Sequence, residues 1–377
     1  MEIINALIAS MDWNIKNPEG VVKRYKSDTG KDVIGCFPEY CPEEIIHAAG
    51  MLPIGLWGGQ TDIELSKAYL PAFACSLMQS CLEHGLGGRY DDLSAVLIPA
   101  LCDTLICIGE NWKAGVPQVQ RISLVHPQNR KMEAGIQYLR SEYTRIKESL
   151  EKISGEPITD EAINISIEIY NEHRETMRRF VDVAACNPHI MVPLKRNTVI
   201  KSGYYMLKED HTKLVNELIE EIGKVQVESK PYKRILLSGI MADSKAMLEL
   251  LEDHQLAVVA DDLAQESRQF RHDVPQGNDG LHRLAKYWSI FEGCSLAYAP
   301  DESRGDILLK DIKDKDIDAV IFCMMQFCDP EEYDYPLLKK RLDEAGIPSL
   351  FIEMDLQVSN TEQIRTRIQT FSEILSY

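Results

Sequence analysis

The chain has 377 residues. At roughly 150 residues per domain that is two or three domains. Apolar residues make up 45% and charged residues 27%, the mix of a soluble globular protein with more than one buried core. Lys and Arg number 41 against 59 Asp and Glu, a net charge of −18, which excludes a generally basic surface for nucleic acid and argues against an anionic membrane as partner. A small phosphorylated ligand stays open, because it needs only a few local cations. The first residues, Met1 to Trp13, carry Glu2 and no basic start. No apolar run approaches the roughly 20 residues a bilayer demands. A cytoplasmic protein is expected.

In chain order, β-rich runs fall at 32–37, 53–57, 94–99 and 122–125. Residues 42–50 read as a helix, with Pro42 at the start, Glu43 and Glu44 in the first turn and Gly50 at the end. Charged, helix-periodic stretches follow at 133–153, 161–186 and 211–225 and predict surface helices. A second set of β-rich runs lies at 234–240, 257–260, 317–323 and 349–353, with a helix at 244–254. Strands alternating with helices predict parallel sheets. The expected architecture is α/β: two Rossmann- or flavodoxin-like domains facing across a cleft. The boundaries are 1–128 for the first, 129–230 for a helical connecting segment and 231–377 for the second. The two sets look like distant copies, because Ala95–Ile98 leads into Cys102-Asp103 as Ala319–Phe322 leads into Cys328-Asp329.

Ten cysteines are present, eight of them in four pairs with four or five residues between the partners. None forms Cys-x-x-Cys, which removes the zinc-ribbon and thioredoxin signatures. In a reducing compartment, metal binding or catalysis gains weight over disulfides. The plain alternative for each Cys is a small buried hydrophobe. Ligand sites of open parallel sheets lie beyond the carboxyl ends of the strands, where Cys102 and Cys328 each fall. Cys75 sits at a predicted helix start, where backbone amides favour a thiolate. Cys81 points to another side of that helix and is assigned to the core. Cys107, inside an apolar helix, and Cys323, on a strand, are assigned to the core as well. Three thiols from distant segments suit a soft metal centre, and a three-Cys iron–sulfur cluster with one open corner fits better than zinc.

Longer runs then carry a resemblance. They are Gly35-Cys36-Phe37-Pro38-Glu39-Tyr40-Cys41-Pro42 with its helix, Pro71-Ala72-Phe73-Ala74-Cys75-Ser76, and Pro99-Ala100-Leu101-Cys102-Asp103-Thr104. The most specific is Phe322-Cys323-Met324-Met325-Gln326-Phe327-Cys328-Asp329-Pro330 and the residues through Pro336. Over essentially its whole length the chain resembles the β subunits of the 2-hydroxyacyl-CoA dehydratases of anaerobic bacteria, near the 2-hydroxyisocaproyl-CoA type. That wider family includes subunits of ATP-dependent benzoyl-CoA reductase.

The resemblance implies a heterodimer with a related α subunit. It also implies a [4Fe-4S] cluster held by Cys75, Cys102 and Cys328, with a non-protein or open fourth position. Cys328 is preferred to Cys323 because the Phe-Cys-Asp-Pro step is shared with the sister subunits. The activity implied is loss of water from a 2-hydroxyacyl-CoA. An ATP-hydrolysing iron–sulfur activator supplies one recycled electron, and a ketyl radical anion expels the hydroxyl. Substrate is expected mainly at the α-subunit cluster, with the β-subunit cluster serving electron transfer or storage. No catalytic residue is therefore assigned on this chain. Two other readings are a benzoyl-CoA-reductase-like subunit and a non-catalytic thiol or zinc scaffold.

Other residues have plainer expectations. Cys41 is assigned to packing, and Glu43 and Glu44 to the helix start. Lys201-Ser202-Gly203-Tyr204-Tyr205 is expected to be a solvated turn rather than a CoA contact. Asp261-Asp262 with Arg268, Arg271 and His272 forms either a cleft-facing group or an ion-pair network. Trp57-Gly58-Gly59-Gln60 is a flexible strand-end loop without the full dinucleotide fingerprint. No Walker A sequence is present, so ATP hydrolysis belongs to another protein.

Overall fold

The structure, a computed structural model, describes residues 1–225, 232–301, 303–357 and 361–376. Short runs of branched apolar residues form two four-stranded, all-parallel sheets. The first contains β1 (Val33–Cys36), β2 (Leu52–Gly55), β3 (Ala95–Pro99) and β4 (Gln120–Leu124). The second contains β5 (Lys233–Gly239), β6 (Leu256–Leu263), β7 (Ala319–Met325) and β8 (Ser349–Met354). Their orders, β2-β1-β3-β4 and β6-β5-β7-β8, are the same permutation. The expected α/β fold and its internal duplication are therefore visible in the topology. β1, β3 and β7 are buried at every residue and β5 from Ile235 onward, as central strands covered on both faces require.

The N-terminal helices α1 (Glu2–Lys16) and α2 (Pro18–Thr29) precede β1. Around the first sheet lie α3 (Glu43–Ala48), α4 (Ser76–Leu86) and α5 (Asp103–Gly115). Then come α6 (Glu133–Ser154), α7 (Asp160–Cys186), α8 (Pro193–Ser202) and α9 (Lys208–Gly223). The second half of the chain carries α10 (Lys245–Asp253), α12 (Ser303–Asp314), α13 (Asp329–Glu344) and α14 (Thr361–Ile374), whereas its α11 (Gly280–Ile290) packs on α6 and α7 beside the first sheet. The expected boundary at 230/231 lies outside the described residues.

Three expectations change. α7 is not a surface helix: Ile163, Ile167, Tyr170, Met177, Phe180, Val181 and Ala184 bury one face along its whole length. Most of its charged residues fill the other face, which is why its composition reads as solvated, while Arg174 is buried against Glu44. β6 runs on through Leu263, so Asp261 and Asp262 are buried strand residues rather than a polar strand end. Arginines neutralise them there. Residues Ser202 to Tyr205 are a buried 3₁₀ turn rather than a solvated one. The Tyr204 hydroxyl donates to the Gln265 carbonyl at 2.6 Å, joining the helical segment to the second sheet. Among the described residues no helix is long and apolar enough to cross a membrane.

The carboxyl ends of the two sheets meet. Ser76 Oγ, at the start of α4, lies 3.2 Å from the Met325 sulfur at the end of β7. It also accepts from the Leu356 amide at 3.0 Å. The Thr61 amide donates to Gln357 Oε1 at 3.1 Å. Ile240, Met241, Ala264 and Met325 of the second half share one apolar cluster with Leu77, Ile98 and Leu105 of the first.

Candidate functional site

Each of the three singled-out thiols is the N-cap residue of a helix. Cys75 caps α4, Cys102 caps α5 and Cys328 caps α13. Strand-to-helix turns at the carboxyl end of a parallel sheet place them there. Cys102 follows β3 and Cys328 follows β7, equivalent strands of the two sheets. The thiols converge. Cys75 is buried in the cluster that joins the two halves, and Cys102 and Cys328 pack against that cluster. The charge of Cys102 acts on Cys75, and that of Cys75 acts on Cys328. Beside them a cavity of about 510 Å³ is lined by Ala74, Ser76, Gln326, Phe327 and Asp355.

Two opposing effects act on these thiols. Burial pushes Cys75 up to about 12 and Cys102 up to about 11, while amides at the helix starts pull both down. Burial also holds Cys328 well above the ordinary thiol range, helped by the Glu331 carboxylate. Desolvation therefore wins over the three helix N-termini, and the bare thiols keep their protons at neutral pH. A cation bound there has three soft donors to deprotonate and three helix dipoles favouring the resulting negative charge.

The remaining cysteines fall elsewhere. Cys81 is fully buried and its thiol donates to the Leu56 carbonyl at 3.1 Å. Cys323 is buried on β7. Cys41 is half-buried, with its sulfur 3.3 Å from the Phe37 carbonyl. Cys107 corrects its expectation: it is exposed on α5, whose buried face is Leu105, Ile108 and Trp112. Neighbouring apolar residues in sequence hid its direction.

Sequence reasoning missed Glu39, which sits beyond the end of β1. It is 4% exposed, and its Oε2 has no hydrogen-bond partner. Burial, opposed by Arg268, lifts its carboxyl to about 8. Its charge acts on both Cys102 and Cys328. Behind it the Asp262 group is an ion-pair network. Arg268 binds Asp262 and Glu331, each at 3.0 Å. Arg304 binds the same two carboxylates at 2.9 Å and Asp334 at 2.9 Å. Arg271 completes the network with Asp262 at 3.0 Å. The three guanidinium groups beside Asp262 outweigh its burial and hold its carboxyl far below the usual range. Asp261 pairs separately with Arg196. Glu331 and the quoted run around Cys328 were legible in sequence, but Arg304 carried no local signal.

Backbone geometry is unusual beside two of these residues. Phe327, before Cys328, has φ 63°, and Tyr40, after Glu39, has φ 61°. Left-handed non-glycine residues cost about 1–2 kcal/mol and persist where the surroundings over-determine them. The Tyr40 hydroxyl donates to the buried Cys294 sulfur at 3.0 Å, which fixes that turn against the second half.

Among the described residues no three His, Cys, Asp or Glu side chains come close enough to hold a single metal ion. A cubane cluster asks for a wider set, since each of its thiolates binds a different iron. The site thus defines a class: a duplicated α/β protein that gathers soft donors from both halves at one sheet edge. Comparison with known proteins gives the family. The family profile described as 2-hydroxyglutaryl-CoA dehydratase, D-component, matches residues 38–375. The chain is 47% identical to the (R)-phenyllactyl-CoA dehydratase beta subunit of Clostridium sporogenes, over 96% of each chain. It is 44% identical to the lactoyl-CoA dehydratase subunit beta of Anaerotignum propionicum over the full length of both. To the (R)-2-hydroxyglutaryl-CoA dehydratase subunit beta of Acidaminococcus fermentans it is 36% identical, over 99% of this chain and 100% of that one. The chain belongs to this family of 2-hydroxyacyl-CoA dehydratase beta subunits, parts of multi-subunit hydro-lyases.

Proposed function

We propose that this chain is the β subunit of an oxygen-sensitive (R)-2-hydroxyacyl-CoA dehydratase and that Cys75, Cys102 and Cys328 hold a [4Fe-4S] cluster. One observation carries the reading: three thiols from both halves converge as the N-caps of three helices. The donor set is soft, and the helix ends favour the negative charge of a thiolate-bound centre. When bound, the cluster supplies a place that takes up and gives back one electron.

The reaction proposed converts a 2-hydroxyacyl-CoA to an (E)-2-enoyl-CoA and water. One electron added to the thioester carbonyl makes a ketyl radical anion. That radical expels the 2-hydroxyl as hydroxide, then loses a 3-proton, and the electron is returned at the end. An ATP-hydrolysing iron–sulfur activator is the proposed source of the electron. This chain's residues bury Cys75, partly bury Cys102 and Cys328, and hold all three at the junction of the two sheets.

A related α subunit is the proposed partner. Exposed apolar side chains near each thiol support a covered face. Phe73 is 70% exposed, Ile106 50% and Phe327 40%. Each lies within four residues of one of the three cysteines.

The test is iron and acid-labile sulfide on protein purified without oxygen, co-expressed with its partner subunit. Cys75→Ser, Cys102→Ser and Cys328→Ser are each expected to lower the count by about four irons, the content of one cubane. Cys107→Ser is expected to leave it unchanged. Zinc without sulfide, or a cluster untouched by the three changes, overturns the reading.

A further inference from the structure

Glu39 is a costly residue with nothing so far to do. A buried carboxyl oxygen without a hydrogen bond forfeits the water it left, and such orphans in native proteins mark a missing small partner. The nearby cations do not serve it. Arg268 is shared among Asp262, Glu331 and the Cys294 sulfur. Arg304 is shared among Asp262, Asp334, Glu331 and Ser238. The Tyr40 hydroxyl is committed to Cys294. Glu39 lies just beyond β1, whose sheet neighbour β3 leads into Cys102, and its charge reaches Cys102 and Cys328.

We propose that Glu39 is a positioning residue, whose carboxyl hydrogen-bonds the water or hydroxide that completes the open fourth corner of the centre held by Cys75, Cys102 and Cys328. Three protein thiols leave one iron of a cubane without a side-chain ligand. A small oxygen ligand there needs a polar neighbour to accept or donate a hydrogen bond. Glu39 Oε2 is a buried, unpartnered oxygen at the carboxyl end of the sheet that carries Cys102. This inference rests on the cluster reading above and adds one residue and one ligand class to it.

The experiment compares wild type with Glu39→Gln, Glu39→Asp and Glu39→Ala, each co-expressed with the partner subunit and enriched in ⁵⁷Fe. Iron and sulfide content is read first, then the Mössbauer signature of the unique iron. The rate at which that iron is lost on mild oxidation, seen as a [3Fe–4S] EPR signal, is read last. All four proteins are expected to hold the same iron and sulfide. Gln, which keeps the reach and a hydrogen-bonding head, is expected to match wild type. Asp, one methylene short, and Ala are expected to change the unique-iron signature and to lose that iron about tenfold faster, the factor one lost hydrogen bond is worth. Asp keeps the proposal testable if Ala does not fold. Full iron content with an unchanged unique iron in Asp and Ala overturns the role of Glu39 and leaves the cluster standing. Wild type without iron and sulfide overturns both.

Discussion

Thiol environment at the level of single residues separates the ten cysteines. Cys107 and Cys186 are exposed, whereas Cys75 and Cys81 are buried. With Cys75 pushed up to about 12 by burial, its reactive thiolate is scarce at pH 8. In native, metal-free protein at that pH, iodoacetamide is expected to modify Cys107 and Cys186 first. Cys75 and Cys81 are expected to react only after unfolding. Peptide mass mapping over time checks the order, and Cys75 reacting as fast as Cys107 would contradict the burial described here. Residue identity alone resolves part of this. The sequence marks Cys75, Cys102 and Cys328 because each follows a strand or opens a helix. It misplaces Cys107, because neighbouring apolar residues say nothing about which side of α5 a thiol takes. Glu39 was invisible for a different reason: the charges around it, Arg268, Arg304 and Glu331, come from more than two hundred residues away in the chain.

Elements explain why the rest was readable. All eight strands fall where β-rich runs lie between turn residues, since a buried parallel strand is a short continuous apolar run. The duplication was readable because both halves repeat strand, turn, Cys-Asp and helix. Burial of α7 was not readable, because its apolar stripe meets α3, α9, α11 and β6, which only the tertiary fold brings together. The ends of the central strands are also under tight steric control. Gly239, the last residue of β5, has φ +148°, and a Cβ there would stand 2.2 Å from the Cys323 carbonyl oxygen on β7. That carbonyl belongs to backbone and cannot swing away. Gly239→Ala is expected to cost about 3 kcal/mol, by overpacking and backbone strain together. Gly155→Ala is the comparison: φ is +73°, but nothing lies within 4 Å. Its expected cost is about 1 kcal/mol, from the left-handed backbone alone. Thermal unfolding of the two variants checks the difference, and equal losses would remove the steric argument.

Across the whole molecule, the helical segment is joined to its neighbours by buried histidines that the fold keeps neutral. His173 Nε2 lies 2.8 Å from His211 Nδ1, and His211 Nε2 lies 3.0 Å from the Val199 carbonyl. A carbonyl only accepts, so His211 carries its proton on Nε2 and receives one from His173 on Nδ1. This chain of bonds ties α7 to α9 and to α8, and it requires the His211 ring, which accepts on Nδ1, to be neutral. Burial, then neighbouring cations, holds His211 down at about 3 and His173 well below its ordinary value. Burial also holds His126, packed on Trp288, at about 3. A histidine depressed in this way is neutral when folded and charged when unfolded below about pH 6.5. The unfolded chain then binds more protons, so stability falls as pH falls from about 6.5 toward the folded values. Glu39 acts in the opposite sense. It keeps its proton in the fold up to about 8 and releases it near 4.5 when unfolded, so acidification across that range favours the fold. Three histidines outweigh one carboxyl. From pH 6.5 to 5.5 His211, His126 and His84, which burial holds at about 4, each remove about 1 kcal/mol and Glu39 returns about the same, a net loss of about 2 kcal/mol. The melting temperature is therefore expected to drop by a few degrees over that single pH unit, before the paired carboxylates begin to titrate. A flat or rising profile would mean that these rings are not buried neutral, and that the helical segment is held to the two sheets by something other than this chain of bonds.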